Sequence, residues 1–213
     1  MIPFGPANLR AGSGWALASV GVALVSGLVR TIVVARFLGP DAIGLMGIAL
    51  LSLGFLEAVA STGVDTALVA KRKDAESFID PAFTIQLTRG LVVLGVLWIG
   101  APAVARVVQT DAALGVIRSV GAIAVIRGLA NPAVSLAVRR LEFRRMFWWS
   151  LPEQVSSVAL TVVLAFVRRD VWALVIGVVV GQAVGTIASY GLVPRRPRPV
   201  LARKRIYDLL RFG

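Results

Sequence analysis

Six apolar segments divide this chain of 213 residues, and each is long enough, or nearly so, to cross a lipid bilayer as an α-helix. A helix needs about 20 residues to cross about 30 Å of hydrocarbon. This pattern restricts the chain to a narrow class of folds, and we predict an all-α polytopic membrane bundle with six transmembrane helices. The predicted spans are Trp15–Leu38, Ile43–Val69, Phe83–Val107, Leu114–Val138, Leu151–Val167 and Val171–Val193.

The composition agrees with lipid as the main solvent. Hydrophobic residues make up 57% of the chain and charged residues 16%, whereas soluble domains carry about 25% charge. The net charge of +12 does not indicate nucleic acid, because the basic residues lie between apolar segments rather than on one solvated face. Nucleic acid is therefore not an expected partner. The chain has no cysteine and no histidine, and we expect no metal site and no cofactor.

The basic residues predict the orientation of the chain. Of its 23 Lys and Arg residues, fifteen fall on the side of the N-terminus, four on the opposite side and four within spans. Because short basic loops resist translocation, the N-terminus and the tail after the sixth span are predicted to be cytoplasmic. A signal peptide is disfavoured, since the first apolar run continues through Arg30 to Leu38 without a clear cleavage site. Phe147, Trp148 and Trp149 are expected to start the short fifth span at the membrane interface.

Four charged residues within the spans are candidate cavity residues: Arg30, Glu57, Arg89 and Arg127. A charge at the bilayer centre costs about 2.5 to 3.5 kcal/mol on insertion scales and tends to mark an ion or substrate route. Counting residues along each helix places Glu57, Arg89 and Arg127 at similar heights in the inner half, with Arg30 nearer the outer face. From the residues alone, the predicted substrate is an anion or a polar solute. The alternative is that Arg30 and Arg118, the fourth arginine within the spans, reach the outer interface and Arg89 the inner one, while Glu57 pairs with Arg127 to make burial tolerable.

Two backbone patterns suggest how the bundle packs and moves. Asn131 and Pro132 fall within the predicted fourth span, where proline removes a hydrogen bond and kinks a helix. They are candidate hinge residues for a rocking transporter, although a static bend explains them equally. Gly177, Gly181 and Gly185 recur on one face of the sixth span and predict close helix packing, within the bundle rather than between copies.

The chain is predicted to divide into a transmembrane unit, residues 1–193, and a basic connector, residues 194–213. The connector is interrupted by prolines and then predicted to be helical from about Ala202. Its apolar residues share one face opposite Arg203, Lys204 and Arg205, which is typical of an interfacial helix on an anionic leaflet. Anionic membrane lipids are therefore expected partners, with topological anchoring favoured over lipid sensing.

Several sequence segments resemble those of one transporter family. ARFLGPDAIGL at Ala35–Leu45 resembles the signature of the polysaccharide flippases, the Wzx-type branch of the multidrug/oligosaccharidyl-lipid/polysaccharide exporter superfamily. Ser61–Lys73 is similar to the family's exit from the second span. Ala130–Ser150, with the core LEFRR, is similar to the colanic and teichuronic acid exporter subgroup. Asp170–Thr186 and the following connector resemble the family's sixth span and its link to the second half.

The resemblance implies a function and a mechanism. The substrate would be an oligosaccharide repeat unit on an undecaprenyl pyrophosphate carrier, moved across the bacterial inner membrane for biosynthesis of surface polysaccharide such as lipopolysaccharide. Arg30, Arg89 and Arg127 would neutralise the carrier's phosphates during alternating access, with Glu57 balancing or gating them. Family members carry two related halves, so the chain is expected to be an N-terminal lobe whose partner is a second lobe.

Three other functions are considered. A drug or small-cation exporter of the same superfamily would favour acidic and aromatic cavity residues over the four intramembrane arginines. A membrane enzyme acting on lipid-linked sugars would need convergent acids, but the eleven carboxylates are scattered and form no Asp-rich motif. A purely structural half-lobe would have no transport of its own. We therefore predict a transporter rather than an enzyme.

Overall fold

The computed structural model describes residues 6–61, 79–135, 142–192 and 196–200, and within these ranges the chain is helical with no strand. The prediction of an all-α bundle of membrane helices is confirmed. Within the described residues five helices are long and apolar enough to cross a membrane, and α4, with 18 residues and three charges, corresponds to the remaining predicted span. The helices are α1 Pro6–Phe37, α2 Pro40–Val59, α3 Ile79–Val108, α4 Asp111–Gly128, α5 Phe143–Val167 and α6 Trp172–Leu192.

A sharp turn separates α1 from α2. Gly39 has φ 58°, a left-handed conformation that glycine adopts without a Cβ clash, and Pro40 occupies the first turn of α2. Proline favours this place because its fixed φ suits a helix start and its missing N–H would have no intrahelical partner there. The short Gly-Pro sequence thus ends one helix and begins the next.

The bundle consists of two tight hairpins with two flanking helices. The hairpins are α3 with α4 and α5 with α6, and they meet where α4 packs on α6. Helix α1 packs on α5, and α2 packs mainly on α4. Neighbouring helices therefore follow the order α1, α5, α6, α4, α2, with α3 against α4. Most of α1 faces outward with apolar side chains, as expected where lipid is the solvent.

Glycines set the spacing inside both hairpins. A Cβ on Gly90 of α3 would collide with the main-chain oxygen of Ala124, and one on Gly128 of α4 would lie 2.7 Å from that of Gln86. In the second hairpin, Cβ atoms on the glycine repeat of α6 would collide with α5 side chains. The pairs are Gly177 with Thr161, Gly181 with Ser157 and Gly185 with Glu153. The predicted packing of this repeat within the bundle is confirmed.

The predicted boundaries differ most at spans two and four. Helix α2 ends at Val59, where the Ala60 N–H bonds to the Leu56 oxygen, and residues 62–69 of the predicted span lie outside the described residues. Helix α4 ends at Gly128, three residues before Asn131, and the chain is helical again at residues 134 and 135, after which residues 136–141 lie outside the described residues. The other predicted spans agree within a few residues, except that α1 begins at Pro6 and α5 at Phe143, each earlier than expected.

Asn131 and Pro132 lie in a turn beyond α4. The Asn131 N–H donates to Ser189 Oγ at 3.0 Å, and Asn131 Oδ1 accepts from the Ala133 N–H at 3.0 Å. Because the residue before a proline disfavours the helical conformation, this sequence interrupts the helix between Gly128 and Val134. Whether the two residues act as a hinge stays a prediction.

The described part of the connector lies against α3. The Arg198 N–H donates to Asp80 Oδ1 at 3.1 Å, and the Val200 N–H donates to Thr84 Oγ1 at 3.0 Å. Both acceptors lie within the first two turns of α3. Residues 196–200 are therefore fastened to the bundle, whereas the predicted interfacial helix from Ala202 lies outside the described residues, as does the predicted boundary between residues 193 and 194.

Candidate functional site

A small cavity opens between α2, α3 and α4. Its volume is about 190 Å³. It lies towards the C-terminal ends of α2 and α4, whose last turns hold Glu57 and Arg127. The glycine contacts that bring α3 against α4 supply part of its wall. The lining residues are Glu57, Gln86, Arg89, Gly90, Val93, Ala124, Arg127 and Gly128.

An ion pair between Arg127 and Glu57 spans the cavity wall. Arg127 Nη1 donates to Glu57 Oε2 at 2.7 Å, which joins α4 to α2. The Arg127 side chain is 48% exposed and that of Glu57 is 18% exposed. Since an arginine carries five donors and this contact uses one of its terminal nitrogens, the guanidinium keeps donors for a further acceptor.

A second contact fixes the other side of Arg127. Its Nε–H donates to Gln182 Oε1 of α6 at 2.9 Å, and Gln182 Nε2 donates to Glu153 Oε1 of α5 at 3.2 Å. Four helices are therefore joined through side chains in the order Glu57, Arg127, Gln182, Glu153. A half-buried carboxylate thus lies behind the arginine, on the far side from the cavity.

Arg30 lies apart from this cavity. Its Nη2 donates to Ser157 Oγ of α5 at 2.7 Å, and its Nε is buried without a hydrogen-bond partner in the described structure. Ser157 follows Glu153 by one helix turn, so Arg30 extends the same polar line to α1. It does not belong to the wall formed by α2, α3 and α4.

The structure therefore groups the predicted site residues into two sets. Glu57, Arg89 and Arg127 line one cavity, which their similar predicted heights allow, whereas Arg30 contacts Ser157 on α5. The ion pair between Glu57 and Arg127, which the alternative to a substrate site also expects, is present. Whether any of these residues contacts a substrate is not decided by this geometry.

Sequence reasoning missed Glu153, Gln182 and Gln86. The signal for Glu153 was present: α5 starts at Phe143, which places Glu153 well inside the helix rather than at its entrance. Gln182 lies between Gly181 and Gly185, in a segment interpreted only as a packing face. An intramembrane carboxylate and an amide beside a glycine repeat both indicate side-chain contacts between helices, because buried polar groups need partners.

The cavity presents donors that suit a phosphate or a carboxylate. Arg89 and Arg127 both line it, and a guanidinium offers planar paired donors that match either group. Glu57 already occupies one donor of Arg127. No group of three or more His, Cys, Asp or Glu residues that could hold a metal ion occurs in the ranges that the structure describes.

Comparison with known proteins places the chain in one family. The sequence profile of the polysaccharide biosynthesis protein family matches residues 33–213. The chain is also similar to the succinoglycan biosynthesis transport protein ExoT of Rhizobium meliloti (strain 1021), with 25% identity over 200 residues. These residues cover 94% of this chain and 40% of the relative, so the chain spans about two fifths of the relative's length. No solved structure matches the chain.

The family and the relative's name point to a transport protein rather than an enzyme. They also agree with the multi-pass helical bundle, since a helix satisfies its own backbone hydrogen bonds within lipid. The match covers most of the chain, including every charged residue around the cavity. On this ground the chain belongs to the polysaccharide biosynthesis protein family.

Proposed function

We propose that the chain forms a lobe of a transporter that moves a lipid-linked oligosaccharide across the bacterial inner membrane. The substrate is a repeat unit on an undecaprenyl pyrophosphate carrier, and the product is used for surface polysaccharide. The observation that carries this proposal is the cavity in which Arg89 and Arg127 lie together with Glu57. The name of the relative, a succinoglycan biosynthesis transport protein, supports the same class of cargo.

The proposed mechanism is an exchange of counterions. In the resting state Glu57 neutralises Arg127 at 2.7 Å. A phosphate that enters the cavity takes the place of the carboxylate and binds Arg127 and Arg89 through charge-assisted hydrogen bonds, which are stronger than neutral ones. Since the arginines stay charged at any physiological pH, the site keeps its preference for anions.

Alternating access requires a second lobe. One bundle cannot enclose a path, and transporters of this kind rock two lobes around a central site. We propose that a second lobe completes the cavity, that the N-terminus is cytoplasmic and that the chain is the N-terminal half of a Wzx-type flippase. The connector 194–213 then leads to that lobe, and its basic residues lie on anionic lipids of the inner leaflet.

The test is export of surface polysaccharide in a strain whose only copy of the gene carries R89A and R127A. We expect export to fall at least about tenfold, since each charge-assisted hydrogen bond is worth about 1.5 to 3 kcal/mol. R30A is tested separately, and a smaller loss is expected because Arg30 lies outside the cavity. Unchanged export with both cavity arginines replaced would remove the proposal.

The matched control is R118A. Arg118 is also an arginine of α4, but its guanidinium carbon lies 5.0 Å from the centre of the Trp98 ring and the residue does not line the cavity. Export is expected to be close to normal in this variant. A cation exporter would give a different pattern: E57Q would abolish transport of the cation, while loss of the arginines would not.

A further inference from the structure

Gln182 occupies a position in which its amide can point only one way. Its oxygen accepts from the Nε–H of Arg127 at 2.9 Å and its nitrogen donates to Glu153 Oε1 at 3.2 Å. A guanidinium can only donate, and an ionised carboxylate can only accept. In the opposite orientation the amide NH₂ would face the arginine N–H and the amide oxygen would face the carboxylate, so both contacts would be repulsive.

The glycines of α6 bring Glu153 within reach of this amide. Gly181 and Gly185 flank Gln182, and Cβ atoms at these positions would collide with Ser157 and Glu153. Without side chains there, α5 and α6 approach closely enough for the Glu153 carboxylate to lie beside α6. Trp149 of α5 adds a contact, because its Nε1–H donates to the Gly185 oxygen of α6 at 3.0 Å.

From these contacts we propose that Glu153 and Gln182 are positioning residues that aim the guanidinium of Arg127 into the cavity. Glu153 fixes the orientation of the Gln182 amide, and the amide oxygen fixes the Nε edge of Arg127. The terminal nitrogen Nη1 then contacts Glu57 on α2. The inference rests on the proposed function only in that the aimed guanidinium is the group that binds the anion.

The hydrogen bonds from Arg127 to Gln182 and from Gln182 to Glu153, here called the relay, can be distinguished from simple packing. Exchanging the residues at positions 153 and 182 reverses the direction of the hydrogen bond between them. In the double variant E153Q/Q182E, a carboxylate at position 182 accepts directly from Arg127, and an amide at position 153 donates to that carboxylate. Arg127 still donates to position 182, the hydrogen bond between positions 182 and 153 is reversed, and the total charge is kept. In E153Q alone the amide at 153 can donate or accept, so Arg127 is left as the one partner of the pair that still orients the Gln182 amide.

The first measurement needs no ligand. Protein labelled with ¹⁵N-arginine is placed in lipid nanodiscs, and exchange of the Arg127 Nε–H with water is followed by NMR, with the resonance assigned by its loss in R127K. We expect exchange about tenfold faster in E153Q, which corresponds to about 1.4 kcal/mol, and near-normal exchange in E153Q/Q182E. Q154L is the matched control, since Gln154 lies next to Glu153 and its Oε1 has no hydrogen-bond partner among the described residues.

The second measurement is binding of inorganic pyrophosphate to the same samples by calorimetry. We expect E153Q and Q182L to bind about three- to tenfold more weakly, their combination to bind no more weakly than the worse single variant, and E153Q/Q182E to recover to within about twofold. Unchanged Nε–H exchange in E153Q, or a double exchange variant no better than the worse single variant, would overturn the relay.

The outcomes separate the relay from the proposed function. If R127A binds pyrophosphate like the unmodified protein, the anion site fails, while the exchange measurement still decides the relay. If R127A loses binding but E153Q alters neither exchange nor affinity, the relay fails and the anion site stands. Circular dichroism and gel filtration of each variant exclude a general loss of fold as the cause.

Discussion

Tyr190 of α6 donates a hydrogen bond of 2.6 Å to the main-chain oxygen of Leu129, the residue that follows α4. Thr186 of the same helix donates to the Ile126 oxygen at 2.9 Å, and the buried Ser189 accepts from the Asn131 N–H. The C-terminal end of α4 has carbonyl groups without intrahelical partners, and α6 supplies donors to them. The segment after α4 is therefore fastened to α6 and is expected to move with it.

Replacing Tyr190 by phenylalanine tests this fastening. Y190F removes one hydroxyl and leaves the Leu129 oxygen without that donor, which should lower the free energy of unfolding by about 1 kcal/mol. The measurement is thermal unfolding in detergent. T88V is the control, because the exposed Thr88 hydroxyl donates to the Thr84 oxygen of its own helix. Equal melting temperatures for Y190F and the unmodified protein would contradict the prediction.

Spanning segments could be predicted because each helix must satisfy its own backbone in lipid, and this makes hydrophobic length a strong signal. The ends of the helices are harder to predict from the sequence. The end of α2 at Val59 falls inside an apolar run that continues to Val69, and hydropathy alone gives no reason to stop there. Hydropathy places Asn131 within the fourth span, because its partner Ser189 is distant in sequence and a propensity argument does not contain such a contact.

The candidate site, too, could be predicted from the sequence only in part. Counting residues along the helices brought Glu57, Arg89 and Arg127 to one height, and they line one cavity. The count places Arg30 nearer the outer face, but it cannot say which helices are neighbours, so it does not predict that Arg30 contacts Ser157 on α5. Glu153 and Gln182 could be connected only after α5 and α6 were seen to pack through their glycine face.

That glycine face gives a prediction about stability. G181A places a methyl group against Ser157 and should lower the free energy of unfolding by about 1 to 3 kcal/mol, because a packed helix pair must move apart to admit it. The control is G95A in α3, where an added Cβ meets nothing within 4 Å. Since alanine favours helix over glycine by about 1 kcal/mol, G95A should leave stability unchanged or raise it.

The measurement for this pair is again thermal unfolding in detergent, with the fraction of monodisperse protein after solubilisation as a second readout. A stabilised G181A would show that α5 and α6 are further apart than the structure places them.

Removing the internal counterion should strengthen anion binding. In E57Q the side chain keeps its size, but Arg127 no longer has a carboxylate at 2.7 Å to compete with an external anion. We expect the affinity for inorganic pyrophosphate to rise at least about threefold at low salt and the gain to shrink at high salt, where screening weakens charge interactions. Calorimetry at two ionic strengths measures both effects.

The control for this change is E142Q. Glu142 also pairs with an arginine, Arg145, at 2.8 Å, but it lies at the start of α5 and does not line the cavity. Its replacement should leave pyrophosphate affinity unchanged. Weaker binding in E57Q than in E142Q would mean that Glu57 supports the anion site rather than occupying it.

The attachment of residues 196–200 to α3 gives the last prediction. Thr84 Oγ1 accepts from the Val200 N–H at 3.0 Å, and its one hydrogen has two acceptors within reach, the Asp80 oxygen of its own helix at 3.1 Å and the Val200 oxygen at 3.2 Å. T84V keeps the shape of the side chain and removes these contacts. Amide hydrogen exchange at Val200 should then become about fivefold faster or more, since a net hydrogen bond is worth about 1 kcal/mol. T88V, one helix turn away, should leave this amide protected, and equal exchange in T84V and T88V would show that α3 does not hold the connector.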